Sequence, residues 1–139
     1  MSAWAQADTA RRVAITIDDL PWASLDGLDE VQLDARHRQL MAALDTAAVP
    51  VPGFVNGDRL ESGGRVLPGR LRVLVDWLER GHELGNHTHG HVDLHAVGLE
   101  TYEQAILDGE RELRPLLAEA GTAPRWFRHP YPRAGRSVD

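Results

Sequence analysis

The sequence predicts an α/β domain built on a parallel sheet, and three observations carry that expectation. Short β-branched or apolar runs alternate with longer segments of helical periodicity, the pattern of repeated βα units. The 139 residues include 42% hydrophobic and 26% charged side chains with 13 Gly and 8 Pro, the composition of one ordinary globular domain. Clusters of Asp, His and Pro fall where the apolar runs end, which is where parallel α/β folds place their chemistry.

The elements follow in order. Arg12-Val13-Ala14-Ile15-Thr16-Ile17 reads as a buried strand that ends abruptly in Asp18-Asp19-Leu20-Pro21. From Asp29 to Ala48 the positions Leu33, Leu40, Met41, Leu44 and Ala48 follow helical spacing, with Asp29 as N-cap and Pro50 as a stop. Val51 to Asn56 reads as a second strand, and a Gly-rich loop through Gly63-Gly64 leads to a helix that opens at Pro68 and closes at Gly81. His82 to Asn86 is a third strand, and the polar, His-laden stretch from Asn86 to Val97 is a loop. Helical periodicity returns from Glu100 to Ala120, and Arg125 to Arg128 is a fourth strand before Pro130 and Pro132. At ~30 residues per βα unit the chain supplies about four units, whereas a closed barrel of such units needs about 200 residues.

Cysteine is absent, which excludes disulfides, thiolate zinc sites and a cysteine nucleophile, so a metal site must draw on His, Asp or Glu. All fifteen cationic side chains are arginine, and against 21 acids they leave a formal charge of −6, which argues against nucleic acid as the main partner. No apolar run approaches the ~20 residues of a membrane span. Trp4-Ala5-Gln6-Ala7 has the small-x-small form of a signal-peptidase site without an apolar stretch before it. The expected location is therefore periplasmic or extracellular if an export signal was lost upstream, and cytoplasmic otherwise. Residues 1–11 are expected to be an N-terminal extension and 12–139 the domain.

Three residue sets could carry chemistry. Asp18 and Asp19 are adjacent at a strand end, where alternation turns consecutive side chains to opposite faces, so one can bind a cation while the other handles a proton. Five of the seven histidines lie between 82 and 95, and His87 and His91, spaced i,i+4, can reach one ion from a helical turn. A carboxylate from Asp18 or Asp19 would complete a three-ligand site with a position left for water, an arrangement suited to hydrolysis. The third set is Phe127-Arg128-His129-Pro130-Tyr131-Pro132, in which an arginine at a strand end can pair with the spare Asp and a proline-fixed turn can present a backbone N–H to a reacting oxygen. Trp22, Trp77 and Trp126 are either sugar platforms or core, with Trp77 assigned to the core by its place in a periodic helix. His37, on a charged helix face, is expected to be solvated, and His82 either supports the site by a hydrogen bond or is a satisfied core histidine.

Together these residues resemble the polysaccharide deacetylases of the NodB-homology type, carbohydrate esterase family 4. Thr16-Ile17-Asp18-Asp19 is similar to the first motif of that family, Gly81 through Thr88 and on to His91 to the second, and Arg128-His129-Pro130-Tyr131 to the third, so the resemblance runs from Val13 to Tyr131. It implies a distorted (β/α)7 barrel and hydrolytic removal of N-acetyl or O-acetyl groups from chitin, peptidoglycan, xylan or a related glycan. It also implies a divalent metal, Zn²⁺ first with Co²⁺, Mn²⁺ or Ni²⁺ as alternatives, held by Asp19, His87 and His91. Asp18 would be the general base, Arg128 its orienting partner, Thr88 a brace for the His loop, and Pro130 with Tyr131 the loop that meets the acetyl oxygen.

The sequence also departs from the family pattern. Leu20 stands where the first motif usually has Gly, and His129 fills a position where Pro is commoner. The later motifs, an Asp-Trp pair and a Leu-x-His that carries the general acid, have no counterpart before Asp139. The chain is therefore expected to be the N-terminal portion of such a barrel, to keep metal binding better than turnover, and to expose strand edges that favour association. No general acid is assigned; His89, His95 and His129 all stay open. The alternatives are a metal-dependent amidohydrolase acting on a small amide, with His87 and His89 as ligands, and an inactive fragment that binds metal or glycan.

Overall fold

The structure, a computed structural model, describes residues 11–135; the Trp4-Ala5-Gln6-Ala7 segment, and with it nearly all of the expected extension, lies outside them. A parallel three-stranded sheet forms the centre, with β1 (Ile17–Leu20), β2 (Gly53–Val55) and β5 (Leu84–Asn86) in the order β1-β2-β5. Helix α1 (Glu30–Ala47) joins β1 to β2, and α2 (Pro68–Glu79) leads into β5. The four-residue α3 (Leu94–Val97) and the long α4 (Leu99–Glu119) follow. Among the described residues this is an arc of parallel strands and not a closed barrel.

The first strand begins later than its sequence suggests. Its partner β2 is three residues long and pairs Ile17 with Gly53 and Leu20 with Val55, so residues before Ile17 meet no neighbouring strand, and Val13 and Ile15 are exposed. Four residues of β1 face three of β2, and the surplus is absorbed as a bulge in which Asp19 takes φ +66°. A bulge re-aims side chains. Strict alternation of Asp18 and Asp19 therefore does not hold, and both carboxylates line one cleft.

Helix α1 starts on a reciprocal cap, in which Asp29 Oδ1 accepts from the Gln32 N–H at 2.7 Å and Gln32 Oε1 from the Asp29 N–H at 3.2 Å. Its buried stripe is Leu33, His37 and Met41, one residue per turn. His37 is thus not solvated: it is 4% exposed and its Nε2 lies 2.7 Å from Asp76 Oδ2 on α2, which supplies the partner a buried imidazole needs. The Gly63-Gly64 segment is the turn of a small hairpin, β3 (Glu61–Ser62) with β4 (Arg65–Val66), both glycines having positive φ.

The core gathers Leu20, Met41, Val51, Val55, Leu60, Leu74, Trp77, Leu84 and the Leu113, Leu116, Leu117 face of α4. Each large side chain buried there contributes ~1.5–3 kcal/mol. Trp77 is core as expected, fully buried with its indole N–H donating to the carbonyls of Val51 and Glu83, both at 3.1 Å. It also explains Gly53, where an added Cβ would fall 2.3 Å from Leu20 Cδ1 and 3.0 Å from the indole. His82 precedes the ladder of β5 and is a core histidine, buried beside Trp77 and accepting the Val51 N–H at Nδ1, 3.3 Å away.

The expected fourth strand is reduced to a single parallel bridge between Asn86 and Phe127 at the edge of β5, with the Asn86 N–H donating to Trp126 and the Arg128 N–H to Asn86. Trp126 and Phe127 stay 41% and 39% exposed, because no further strand among the described residues covers them. Among the described residues no helix is long and apolar enough to cross a membrane.

Candidate metal centre and catalytic cleft

The C-terminal ends of β1 and β5 and the segment after the Phe127 bridge meet around an open cleft of about 490 Å³. Asp18, Asp19, His87, His91, Arg128, His129, Tyr131 and Pro132 line it. Three of the four residues that β1 and the His loop were expected to bring together form a compact donor set: Asp19, His87 and His91 each offer one ligand atom, all within 4.8 Å of one another. One carboxylate and two imidazoles suit a divalent ion of borderline softness.

His87 is 3% exposed and its Nδ1 lies 2.8 Å from the Arg128 carbonyl. A carbonyl only accepts, so Nδ1 carries the hydrogen and the Nε2 lone pair is free for a cation. Burial lowers the imidazole's pKa, which keeps the ring in its neutral, ligating form. His91 stands edge-on to His87 at 5.0 Å between ring centres, with its Nε2 3.6 Å from Asp19 Oδ1.

The two histidines do not meet through a helical turn. The loop from 87 to 91 bends back through positive φ at Thr88 (+67°), Gly90 (+81°) and His91 (+48°). Its main chain is pinned by other elements: the Thr88 N–H donates to Asn86 Oδ1 at 2.7 Å, the Gly57 N–H to the Thr88 carbonyl at 3.2 Å, and the His89 N–H to Ala105 of α4 at 2.8 Å. Those bonds, which no local pattern announces, replace the intrahelical ones. Helix α4 comes so close that a Cβ at Gly109 would sit 2.5 Å from Asn86 Oδ1 and 2.9 Å from the Thr88 carbonyl carbon.

Asp18 is held from the opposite side. Arg128 Nη1 donates to Asp18 Oδ1 and to Thr16 Oγ1, each at 2.7 Å, while its guanidinium lies over the Phe54 ring at 4.2 Å. The same residue thus orients one carboxylate with its side chain and one imidazole with its carbonyl. Pro130 is buried and Tyr131 exposed at φ +56°, its ring 4.6 Å from His91, in a turn closed by the Arg133 N–H on the Pro130 carbonyl.

Of the remaining histidines, His129 reaches the cleft wall, stacked on Tyr102 with its Nδ1 2.9 Å from the phenol oxygen. His89 does not join the metal set, because its ring packs against Gly57, 2.9 Å from where a Cβ would lie. His95 belongs to α3. Two polar residues near the centre had no part in the sequence expectation: Asn56, whose Nδ2 lies 2.6 Å from Asp19 Oδ1, and Arg59, whose Nη2 lies 3.6 Å from it. The signal that could have found Asn56 is its place at the C-terminal end of a parallel strand, the edge that carries chemistry in such sheets.

Comparison with known proteins bears on the family and the fold. The family profile "Polysaccharide deacetylase" matches residues 5–138. A search of curated proteins returns no match. Among solved structures, the chain is similar to the Bc1960 peptidoglycan N-acetylglucosamine deacetylase, with 25% identity, TM-score 0.64, and 86% of this chain covering 46% of that one. The peptidoglycan deacetylase PdaC from Bacillus subtilis gives 23% identity and TM-score 0.64, with 88% of this chain covering 50% of that one. A family 4 acetyl xylan esterase from Clostridium thermocellum, in complex with cobalt, gives 22% identity and TM-score 0.61, with 86% covering 49%. The fold is thus the α/β deacetylase fold, and the chain spans about half the length of the solved structures it matches.

Proposed function

The chain belongs to the polysaccharide deacetylase family, and from that premise we propose that it acts in the hydrolytic removal of acetyl groups from an N-acetylated or O-acetylated polysaccharide, assisted by a divalent metal. One observation carries the reading: Asp19, His87 and His91 converge on a cleft in which a separate carboxylate, Asp18, is held by Arg128. The named activities of the similar structures, on peptidoglycan N-acetylglucosamine and on acetyl xylan, put both amide and ester linkages within it.

Asp19, His87 and His91 would hold the ion, Zn²⁺ first, with Co²⁺, Mn²⁺ or Ni²⁺ compatible with the same donors. A divalent cation bound there supplies Lewis acidity, making a water more acidic and the acetyl carbonyl more electrophilic. Asp18 takes the proton of the attacking water, and the Arg128 guanidinium keeps its carboxylate aimed. The Tyr131 N–H faces no protein acceptor among the described residues and is suited to receive the charge that develops on the acetyl oxygen. Thr88, buried in the turn between the two histidines, fixes their spacing.

The test is metal content together with acetate release from a chitooligosaccharide and from acetylated xylan, on this chain and on a His87→Ala, His91→Ala variant. The reading expects about one Zn²⁺ per chain, lost with both histidines, and any acetate release to disappear with it. A wild-type chain that folds and binds no divalent ion would sink it.

A further inference from the structure

Asp19 is the one carboxylate in the proposed metal set, and it takes a left-handed backbone conformation, φ +66°, within the bulge of β1. Its side chain is steered from a neighbouring turn. Asn56, directly after β2 and 0% exposed, donates Nδ2–H to Asp19 Oδ1 at 2.6 Å while its main-chain N–H donates to the Leu20 carbonyl at 3.2 Å. A carboxylate only accepts, so the amide must present its nitrogen. The other end, Asn56 Oδ1, is buried with no partner, an expensive condition for a residue that merely fills space. The Nδ2 contact is what that cost maintains.

Arg59, in the 3-10 turn that follows (Gly57–Leu60), approaches the same oxygen at 3.6 Å, and its Nη1 donates to the carbonyls of Trp22, at 2.9 Å, and Ala23. A neutral donor orients a carboxylate without lowering its charge, whereas a guanidinium stabilises the free carboxylate and repels an arriving dication. The two neighbours should therefore act in opposite directions on cation affinity.

We propose that Asn56 is a positioning residue that fixes Asp19 for a divalent cation, and that Arg59 is the counter-charge that limits how tightly the centre holds it. This rests on the metal-dependent reading above and assigns to two residues outside the ligand set the tuning of that centre.

The experiment is Zn²⁺ affinity by competition with a chromophoric chelator, with the visible spectrum of the Co²⁺ form as a readout of ligand geometry, on the full chain at fixed pH. Asn56→Ala should lose ~10- to 100-fold in affinity, the usual effect of removing a partner of a metal ligand, and should alter the Co²⁺ bands at a temperature where its melting curve is still flat. If that variant does not melt cooperatively, Asn56→Ser, which keeps a small polar group, takes its place with the same expectation. Arg59→Lys and Arg59→Met both lose the fork that clamps Trp22 and Ala23, so the difference between them isolates the charge. The Met variant should bind Zn²⁺ more tightly than the Lys variant, by a factor that shrinks as salt is raised. Wild-type affinity and spectrum in the Asn56 variants would overturn the positioning role, and equal or weaker binding by Arg59→Met would overturn the counter-charge. Either result leaves the metal centre standing, whereas a wild-type chain without Zn²⁺ binding removes the centre and the tuning together.

Discussion

Asp18 and Asp19 are adjacent in sequence and chemically unlike. Asp18 faces a guanidinium that donates at 2.7 Å, and Asp19 faces an amide, a more distant arginine and an imidazole. The exchange of one for the corresponding amide should therefore not equal the exchange of the other. Asp18→Asn should retain Zn²⁺ affinity near that of wild type and lose more than ~100-fold of any acetate release, the scale of a general base. Asp19→Asn should lose the metal first. Paired metal analysis and acetate assays on the two variants check this, and an Asp18→Asn protein that turns over normally would refute the base assignment. At this scale the sequence was legible where a residue type announces its chemistry. Histidines at i,i+4, a paired carboxylate and an arginine at a strand end could be named in advance. Arg59 could not, since a lone arginine signals no role until the fold shows which oxygen it faces, and Asn56 was marked only by its place at the end of β2.

Elements were legible to the extent that their signals are local. The Asp29 cap, Pro68 at the first turn of α2 and the closing Gly81 all lie within a turn of what they specify. The β1 bulge depends on a register with β2 some 35 residues away in sequence, and the His loop takes its shape from bonds to Gly57 and Ala105, so neither could be read from spacing. The dependence of the site on α4 gives a prediction at the same scale. Gly109→Ala inserts a Cβ against Asn86 Oδ1, whose amide is held by hydrogen bonds to Thr88 and Ile106, and against backbone atoms of the His loop, which cannot yield as a flexible side-chain end would. The variant should lose ~1–3 kcal/mol of stability, the usual range for overpacking, and bind Zn²⁺ more weakly, although Gly109 contacts no ligand atom. Thermal melting and chelator competition on one sample measure both effects. A variant that is destabilised but binds metal as wild type does would show that α4 supports the fold without shaping the loop. Tyr102→Phe is the complement: it keeps the ring stacked on His129 and removes the hydroxyl 2.9 Å from His129 Nδ1, so a loss of ~1 kcal/mol with metal affinity intact is expected.

For the whole molecule, the stability of the fold turns on which titratable groups the core encloses. Two histidines are held neutral, His82 and His87, each lowered in pKa mainly by burial, and Asp76 is held ionised. Burial opposes ionisation of Asp76, but hydrogen bonds from Arg80 and His37 outweigh it and keep its carboxyl below the usual aspartate value. For a histidine whose folded pKa lies below its unfolded value, the unfolded chain binds the extra proton first. Its contribution is complete above the ordinary histidine pKa of ~6.5 and is lost as pH falls from there through the folded value. Asp76 follows the same direction lower down, its contribution complete above the ordinary aspartate pKa of ~3.9 and lost as pH falls through the depressed folded value. The melting temperature of the metal-free chain should therefore be flat from neutral pH upward, so far as these groups govern it, begin to fall below about pH 6.5, and fall again in strong acid. His82 is separate from the ligand set and accepts the Val51 N–H, so His82→Asn should lower stability at neutral pH while flattening the first decline. Saturating Zn²⁺ should instead raise the curve at neutral pH and steepen the decline, because a cation that keeps His87 unprotonated in the folded chain widens the proton difference from the unfolded chain. Melting curves at half-unit pH steps, with and without Zn²⁺, on wild type and His82→Asn separate the two histidines. A wild-type curve that stays flat down to pH 5 would mean that neither imidazole is neutralised by the fold, and the burial that brings His87 to the cleft in its ligating form would have to be abandoned with it.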